Sequence, residues 1–287
     1  MAVIDARTAG SVRTARLPSG EPVPVLGQGT WGFAENSRSR SGEIAALRLG
    51  LDLGMTLIDT AEMYGDGAAE TLVGEAIAGR RNEVFLVSKV LPENATRPGT
   101  VEACERSLRR LKTDRLDLYL LHWRGAVPLE ETIEGFDALL RAGKIRHWGV
   151  SNFDLPDMIE VFGLAEDAVA TDQVLYNLAR RGIEYDLMLW CHEHRIPIMA
   201  YSPIEQGRLL TSEALKTIAA RHQSTPATIA LAWVLRQDGV IAIPKASRQA
   251  HVRQNRAALD LRLTEQDLAE LDRAFPPPAG PRPLEMI

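Results

Sequence analysis

The chain alternates between short apolar runs and longer amphipathic stretches from Val25 onward. The runs are rich in valine, isoleucine and leucine, which is typical of buried strands. The stretches between them place apolar residues three and four positions apart, as at Leu129, Ile133, Phe136 and Leu140, and this spacing is typical of helices that bury one face. Because the two patterns alternate without a break in composition, they predict a parallel sheet covered by helices, in one domain over residues 1–287.

We predict eight strand–helix units in about 240 residues, which favours a closed (β/α)8 TIM barrel. The strands, in chain order, are VLGQGT, TLIDT, VFLVSK, LDLYLLH, IRHWGVS, AVATDQV, IPIMAYS and VIAIPK. A hairpin over residues 12–25 precedes them. Extra helices are predicted near residues 212–221 and from Thr264, where Asp267 completes a variant of the capping box. The tail, residues 276–287, is too rich in proline for regular structure.

An open doubly wound sheet is the alternative fold, because GQGTWG, from Gly27 to Gly32, matches the glycine pattern of dinucleotide-binding folds. In those folds a helix begins at the third glycine. Here FAENSRSRS follows instead, and the helical pattern begins about ten residues later. The barrel is therefore the preferred prediction.

Three of the predicted apolar runs stop at a titratable residue: Asp59, Lys89 and His122. A single polar residue at a strand end is commonly a contact with solvent. The C-terminal ends of barrel strands, however, converge on one pocket, where polar residues are usually catalytic. Tyr64 follows Asp59 in a helical-looking turn. We therefore expect these four side chains to meet at the mouth of the barrel.

The four groups suit the protonation of a carbonyl oxygen. Tyr64 is a proton donor with an ordinary pKa of about 10. A Lys89 ammonium about 4 Å away would lower that pKa, whereas burial would raise it. A buried lysine needs an anion to stay charged, and Asp59 is available. His122 would hold the substrate oxygen as a neutral hydrogen-bond donor, but none of the four groups supplies electrons.

In this order and setting, Asp59, Tyr64, Lys89 and His122 resemble the catalytic tetrad of the aldo-keto reductases, and the proline-rich tail resembles that of bacterial members of the methylglyoxal-reductase type. Nearly the whole chain shares the resemblance, which includes GTW at residues 29–31, GVSNF at 149–153, AYSP at 200–203 and IPK at 243–245. The resemblance implies that electrons arrive as hydride from a nicotinamide cofactor.

The same resemblance implies a set of cofactor-binding residues at the mouth of the barrel. Lys245, Ser247 and Asn255 fall on positions that hold the adenosine 2′-phosphate and the adenine, which favours NADP over NAD. The Lys-Ser of the family is Lys-Ala here and a frequent arginine is His251, and we expect Arg248 to compensate. The full set is Gly29, Thr30, Trp31, Asp59, Ser151, Asn152, Gln173, Tyr201, Ser202, Pro203, Ile204, Gln206, Leu209, Lys245, Ser247, Arg248, Gln254 and Asn255.

The function that these residues predict is NADPH-dependent reduction of small aldehydes or ketones, with dicarbonyls such as methylglyoxal as first substrates. Two alternatives are a nicotinamide-binding regulatory subunit, as in potassium channels, and Schiff-base chemistry at Lys89. The substrate side would be lined by Trp31, Met63, Tyr64, His122 and Trp123, beside a short loop that leaves the pocket wide.

Composition and charge exclude other classes of function. A net charge of −5 and a pI near 5.8 argue against nucleic acid or an anionic membrane as partner. No segment approaches the roughly 18 apolar residues of a membrane span, and residues 1–10 lack the core of a signal peptide, so we expect a cytoplasmic protein. We also expect it to be a monomer. Cys104 and Cys191 lie in amphipathic helices, which predicts buried thiols and no metal site.

Overall fold

A small antiparallel sheet precedes the main sheet in the computed structural model, which describes residues 12–165 and 168–287. Its strands are β1 (Thr14–Arg16) and β2 (Pro22–Pro24), and Ala15 lies opposite Val23. This confirms the predicted hairpin. Residues 1–10, where we expect no signal peptide, lie outside the described residues.

Eight parallel strands form the main sheet, and their order along the sheet is their order along the chain. Leu26 also bridges Ala242 and Gly29 bridges Lys245, both in parallel, so that the first and last strands meet. These bridges close the sheet into a ring, which confirms the predicted barrel. The strands are β3 (Gln28–Gly29), β4 (Leu57–Asp59), β5 (Phe85–Val90), β6 (Leu116–Leu121), β7 (Ile145–Ser151), β8 (Val169–Leu175), β9 (Ile198–Tyr201) and β10 (Val240–Ala242).

Helices connect successive strands of the ring, and two of them lie between β9 and β10. Several begin at a threonine whose hydroxyl accepts from a backbone amide of the first turn: Thr96, Thr225 and Thr264. The predicted capping box at Thr264 is present. The helices are α1 (Arg40–Asp52), α2 (Ala68–Ala76), α3 (Arg97–Leu111), α4 (Leu129–Arg141), α5 (Leu155–Ala165), α6 (Leu187–Glu193), α7 (Glu213–Arg221), α8 (Pro226–Leu235), α9 (Gln249–Ala257) and α10 (Glu265–Ala274).

The core of the protein includes the strands themselves, because every residue of β5, β6 and β8 is buried. Trp148 of β7 stacks on Phe136 of α4 with ring centroids 5.1 Å apart, which fixes this helix against the sheet. A shift of register between β7 and β8 at Gly149 then brings Ser151 opposite Gln173. A Cβ on Gly149 would lie 2.5 Å from the Thr171 carbonyl oxygen, so no larger residue fits there.

The last strand is shorter than predicted. It ends at Ala242, because Pro244 has no N–H with which to continue the ladder, although its carbonyl oxygen still accepts from the Gly29 amide at 3.1 Å. Both cysteines are buried, as predicted. None of the helices within residues 12–165 and 168–287 is long and apolar enough to cross a membrane.

Candidate active site

Three neighbouring strands place titratable side chains at one edge of the barrel. Asp59 is the last residue of β4, Lys89 is the penultimate residue of β5, and His122 directly follows β6. Because these strands pair in parallel, all three side chains lie at the C-terminal mouth. Tyr64 joins them from the turn after β4, where its amide donates to the Ala61 carbonyl oxygen at 3.1 Å.

Lys89 is the centre of this cluster and is completely buried. Its Nζ donates to both carboxylate oxygens of Asp59, at 2.8 and 2.9 Å, and to the Thr60 carbonyl oxygen at 2.9 Å. The same nitrogen donates to the Tyr64 hydroxyl at 3.1 Å. An ammonium has three protons, so these contacts fully satisfy a charged lysine.

Burial favours the neutral form of both Lys89 and Tyr64. Burial alone would lower the pKa of Lys89, but the Asp59 carboxylate outweighs it, so the pKa is raised and the ammonium stays charged. For Tyr64, burial raises the pKa more than the Lys89 ammonium lowers it, and the pKa lies above its ordinary value. The lysine lowers the pKa of Tyr64, as expected, but desolvation is the larger effect and the net shift is upward. Tyr64 therefore carries its proton at neutral pH.

His122 is neutral at physiological pH. Burial, followed by the nearby charge of Lys89, lowers the pKa of this imidazole to about 3. Its Nδ1 atom is buried and has no hydrogen-bond partner among the described residues. Leaving such an atom unpaired costs about 1–3 kcal/mol, and unpaired buried groups in native proteins commonly have a functional reason. The ring meets that of Tyr64 edge-on, with centroids 5.9 Å apart.

The polar residues at the ends of β7 and β8 support the carboxylate. Gln173 is buried and its Nε2 donates to Asp59 Oδ1 at 2.8 Å. Ser151 is also buried and donates to the Gln173 carbonyl oxygen at 2.8 Å. Both residues belong to the predicted cofactor-binding set. In the structure Gln173 also orients Asp59, and Ser151 supports Gln173, a role that the sequence-based prediction missed.

Asn152 connects His122 with Tyr201 at the mouth of the barrel. Its backbone has a φ of 59°, in the left-handed region that asparagine tolerates. Its Nδ2 donates to the His122 carbonyl oxygen at 3.0 Å, and its Oδ1 accepts from the Tyr201 hydroxyl at 2.9 Å. Tyr201 thus lies beside the same mouth, at the end of β9.

The first strand of the ring supports Asp59 from the other side. Thr30 is fully buried, and its hydroxyl donates to the Asp59 carbonyl oxygen at 2.9 Å. The Thr30 hydroxyl therefore donates its proton within the protein and not to a ligand. A Cβ on Gly29 would lie 2.6 Å from the Ile243 carbonyl oxygen, which explains the need for glycine where the first and last strands meet.

Large apolar side chains remain exposed near the tetrad. Trp31 is 53% exposed and Met63 is 45% exposed, which is unusual for residues of their size. Trp123 is partly exposed, and its ring centroid lies 4.9 Å from that of His122. These residues provide an apolar surface for a small ligand.

The loops after β9 and β10 contain the remaining predicted cofactor residues. Pro203, Leu209 and Asn255 are buried, whereas Lys245, Arg248 and Gln206 are exposed, and Ser202, Ile204, Ser247 and Gln254 are intermediate. The backbone turns sharply between β9 and α7, with positive φ at Ser202, Glu205, Gln206 and Gly207.

The end of β10 offers free positive charge. Lys245 and Arg248 form no ion pair with any residue of the part of the chain that the structure describes. Two cations without a carboxylate partner among the described residues are suitable donors to a phosphate group, and Lys245 also lies over the Phe33 ring, 5.6 Å from its centroid. The residues present therefore fit a phosphorylated dinucleotide.

The sequence-based prediction also missed a charged network beside this site. Glu205 is buried at 4% exposure and accepts hydrogen bonds from Arg180, Arg208 and Asn177. Arg180 and Glu205 are 25 positions apart and belong to different loops, so no local pattern could reveal the pair.

Comparisons with known proteins agree with this geometry. The model of the aldo/keto reductase family matches residues 25–275. The methylglyoxal reductase YeaE of Escherichia coli K12 is 52% identical over 271 residues, which are 92% of this chain and 95% of that protein. The glyoxal reductase of Bacillus subtilis is 32% identical and covers 96% of this chain and 97% of its own length.

A solved structure is similar as well. The aldo-keto reductase from Klebsiella pneumoniae in complex with NADPH superimposes with a TM-score of 0.94 at 50% identity, over 97% of this chain and 100% of that chain. A second structure from the same organism, in complex with NADP and acetate, has a TM-score of 0.93 at 51% identity, over 96% of this chain and 100% of that chain.

Proposed function

The chain belongs to the aldo/keto reductase family, and on that premise we propose that it reduces small dicarbonyl compounds such as methylglyoxal. It is an NADPH-dependent oxidoreductase that converts aldehydes or ketones to alcohols. One observation supports the assignment of residues most directly. The Tyr64 hydroxyl accepts a hydrogen bond from Lys89, and its own proton has no acceptor among the residues that the structure describes.

Tyr64 is the proton donor in this proposal. NADPH, when bound, would supply hydride to the carbonyl carbon. Tyr64 would donate its hydroxyl proton to the carbonyl oxygen as that oxygen becomes an alcohol. Lys89, 3.1 Å from the phenol oxygen, stabilises the phenolate that remains. Asp59 keeps the lysine charged despite its complete burial, and Gln173 keeps Asp59 in place.

His122 orients the substrate. A neutral imidazole donates one hydrogen bond, and the ring of His122 lies beside that of Tyr64, so both groups can reach the same carbonyl oxygen. A protonated histidine would compete with Tyr64 as the acid. The low pKa of His122 removes that competition at neutral pH.

Lys245 and Arg248 are the residues that would hold the 2′-phosphate of NADPH, and Ser247 and Asn255 lie in the same segment. Their support is the unpaired charge described above and the family resemblance. The substrate would lie against Trp31, Met63 and Trp123, whose exposed surface is apolar and leaves room for small carbonyl compounds.

We also infer that the protein acts as a monomer in the cytoplasm and does not bind nucleic acid. Two buried free thiols suit a reducing compartment. The acidic net charge of −5 opposes binding to nucleic acid.

The test of this proposal is a panel of carbonyl substrates. Methylglyoxal, glyoxal, phenylglyoxal and a simple aldehyde are supplied with NADPH or with NADH, and oxidation of the cofactor is followed by its absorbance. We expect steady turnover, with a higher kcat/KM for the dicarbonyls and for NADPH. Tight binding of NADPH without turnover of any carbonyl would contradict the enzymatic assignment and support a regulatory, cofactor-holding role.

A further inference from the structure

Arg180 lies between two segments that are far apart in the sequence. Its guanidinium donates to Glu205 Oε1, at 3.2 Å from Nε and 3.1 Å from Nη2. Its other terminal nitrogen, Nη1, donates to Glu285 Oε1 at 2.5 Å. One cation therefore binds a carboxylate of the loop after β9 and a carboxylate of the C-terminal tail at the same time.

The Glu205 side of this network is buried and firmly held. Besides Arg180, Glu205 accepts from Asn177 at 2.8 Å and from Arg208 at 2.8 Å. Burial opposes ionisation, but these hydrogen bonds outweigh it and hold the pKa of Glu205 below its usual range. Asn177 also donates to the Ser202 carbonyl oxygen at 3.0 Å, so the network holds residues 202–208 in their sharp turn.

The tail is held at both of its ends by two consecutive arginines. Arg181 donates to the carbonyl oxygen of Phe275, at the end of α10, at 2.6 Å. Arg180 holds Glu285 near the C-terminus. Burial raises the pKa of the Tyr201 hydroxyl at the mouth of the barrel, and the Ile287 backbone acts against this rise, so the end of the tail lies next to Tyr201.

The last two residues of the tail have side chains that are half exposed beside that mouth. Met286 is 51% exposed and Ile287 is 53% exposed. Together with Trp31 and Met63 they are among the large apolar residues that the fold leaves uncovered. An apolar surface next to the reacting groups is suited to contact a substrate.

We propose that Arg180 is a positioning residue that couples the loop at residues 202–209 to the tail at residues 285–287, and so adjusts the substrate side of the pocket when the cofactor binds. The kinetic test of this proposal rests on the proposed function. Arg180 contacts the loop through Glu205 and the tail through Glu285.

The contact of Arg180 with Glu285 is weaker than its contact with Glu205, so the tail is the part that can detach. Glu205 is buried with several partners, whereas Glu285 is partly exposed, and an exposed ion pair changes an equilibrium by about fivefold at most. The tail therefore detaches more easily than the loop. An anion that binds at the loop would compete with Glu205 for the Arg208 guanidinium. Glu205 would then depend more on Arg180, which would stay within reach of Glu285.

The direct test is hydrogen–deuterium exchange of the tail in the full-length protein, with and without saturating NADPH. The variants are Arg180→Met and Glu285→Gln, and Arg282→Met is the matched control, because it removes an exposed tail arginine outside the network. We expect NADPH to slow exchange over residues 276–287 in the wild type and in the control. In the two network variants the protection should be lost. Equal protection in all four proteins would overturn the proposal.

Kinetics provide the second readout. Glu285→Gln should raise KM for methylglyoxal about fivefold with little change in kcat, and should favour the bulkier phenylglyoxal relative to methylglyoxal. Arg180→Lys, which retains the charge, should recover part of the loss. A fall in kcat with unchanged KM and unchanged substrate preference would contradict the positioning role.

The two tests separate this inference from the proposed function. Wild-type protein that oxidises no NADPH with any carbonyl would refute the function, whereas the exchange experiment would still decide the coupling. If Arg180→Met fails to fold, Glu285→Gln is sufficient, because its carboxylate lies at the exposed end of the pair and its loss leaves Arg180 bound to Glu205.

Discussion

Replacing Tyr64 by phenylalanine separates the chemistry of the site from its stability. The change removes one hydroxyl group and keeps the ring in place against His122. Lys89 retains both oxygens of Asp59 and the Thr60 carbonyl oxygen, so its charge remains satisfied. The cost in unfolding free energy is therefore that of one hydrogen bond, about 0.5–1.5 kcal/mol.

The cost in rate should be much larger. General acids contribute at least about 100-fold to proton transfer, which corresponds to about 2.7 kcal/mol of activation free energy. We therefore expect kcat for methylglyoxal to fall at least ~100-fold in Tyr64→Phe. The Kd for NADPH, measured by quenching of protein fluorescence, should stay nearly unchanged, because in this proposal the Tyr64 hydroxyl contacts the carbonyl oxygen of the substrate and not the cofactor.

Tyr119→Phe is the matched control. Tyr119 is a fully buried tyrosine whose hydroxyl has no hydrogen-bond partner within the described part of the chain. Removing that hydroxyl should leave the rate unchanged and the unfolding free energy equal or higher. If Tyr64→Phe retained turnover within about threefold of the wild type, far above the loss expected for a general acid, the proton-donor role would be refuted.

Three further outcomes are expected. Lys89→Met leaves the buried Asp59 carboxylate with Gln173 as its remaining side-chain donor. The unfolding free energy, measured by denaturant titration, should fall by about 3–5 kcal/mol. A loss below about 1 kcal/mol would contradict a buried ion pair between Lys89 and Asp59. The pKa of His122, about 3, lies below its ordinary value, so between these two pKa values the unfolded chain binds a proton at His122 and the folded chain does not. Stability should therefore fall from about pH 6.5 toward pH 3, by up to about 1.4 kcal/mol per pH unit, and His122→Asn should have a flatter profile. Lys245→Met should weaken binding of NADPH about tenfold, the value of one charge-assisted hydrogen bond, and equal weakening of NADH in a fluorescence titration would argue against a phosphate contact.

The fold could be predicted from the sequence because a closed parallel barrel repeats one local pattern. Each strand is a short apolar run, and each helix has one apolar face, so eight repeats are visible without knowledge of any long-range contact. Strand ends were less predictable. The final strand ends at Ala242 because Pro244 interrupts its ladder, whereas the apolar pattern continues beyond that point.

Part of the candidate site could also be inferred, because strand ends in a parallel barrel face one mouth. This rule brought Asp59, Lys89 and His122 together before any distance was known. It could not supply the direction of the Tyr64 pKa, which depends on how fully the ring and its neighbours are desolvated. Burial is a property of the folded chain and has no local signature.

Contacts between distant loops could not be predicted at all. Arg180 meets Glu285 across 105 positions, and nothing near either residue distinguishes it from other charged residues of the surface. The second role of Gln173 was hidden for the same reason, because its partner Asp59 is 114 positions away. Such pairs depend on how the barrel closes and on the course of each loop.

The arrangement around Lys89 explains why so many charges are tolerated in one buried place. Taking a carboxylate and an ammonium out of water costs several kcal/mol per ion, and the attraction between them offsets this only if the remaining hydrogen bonds are also made. Here they are made: Lys89 has oxygen partners for all its protons, and Asp59 accepts from Gln173 as well. The pair is therefore fixed and has no spare donor of its own. Among the hydrogen-bonded groups of this cluster, the proton of Tyr64 alone has no acceptor within the described residues, so the cluster can release a proton toward the mouth without breaking the contacts that hold it together.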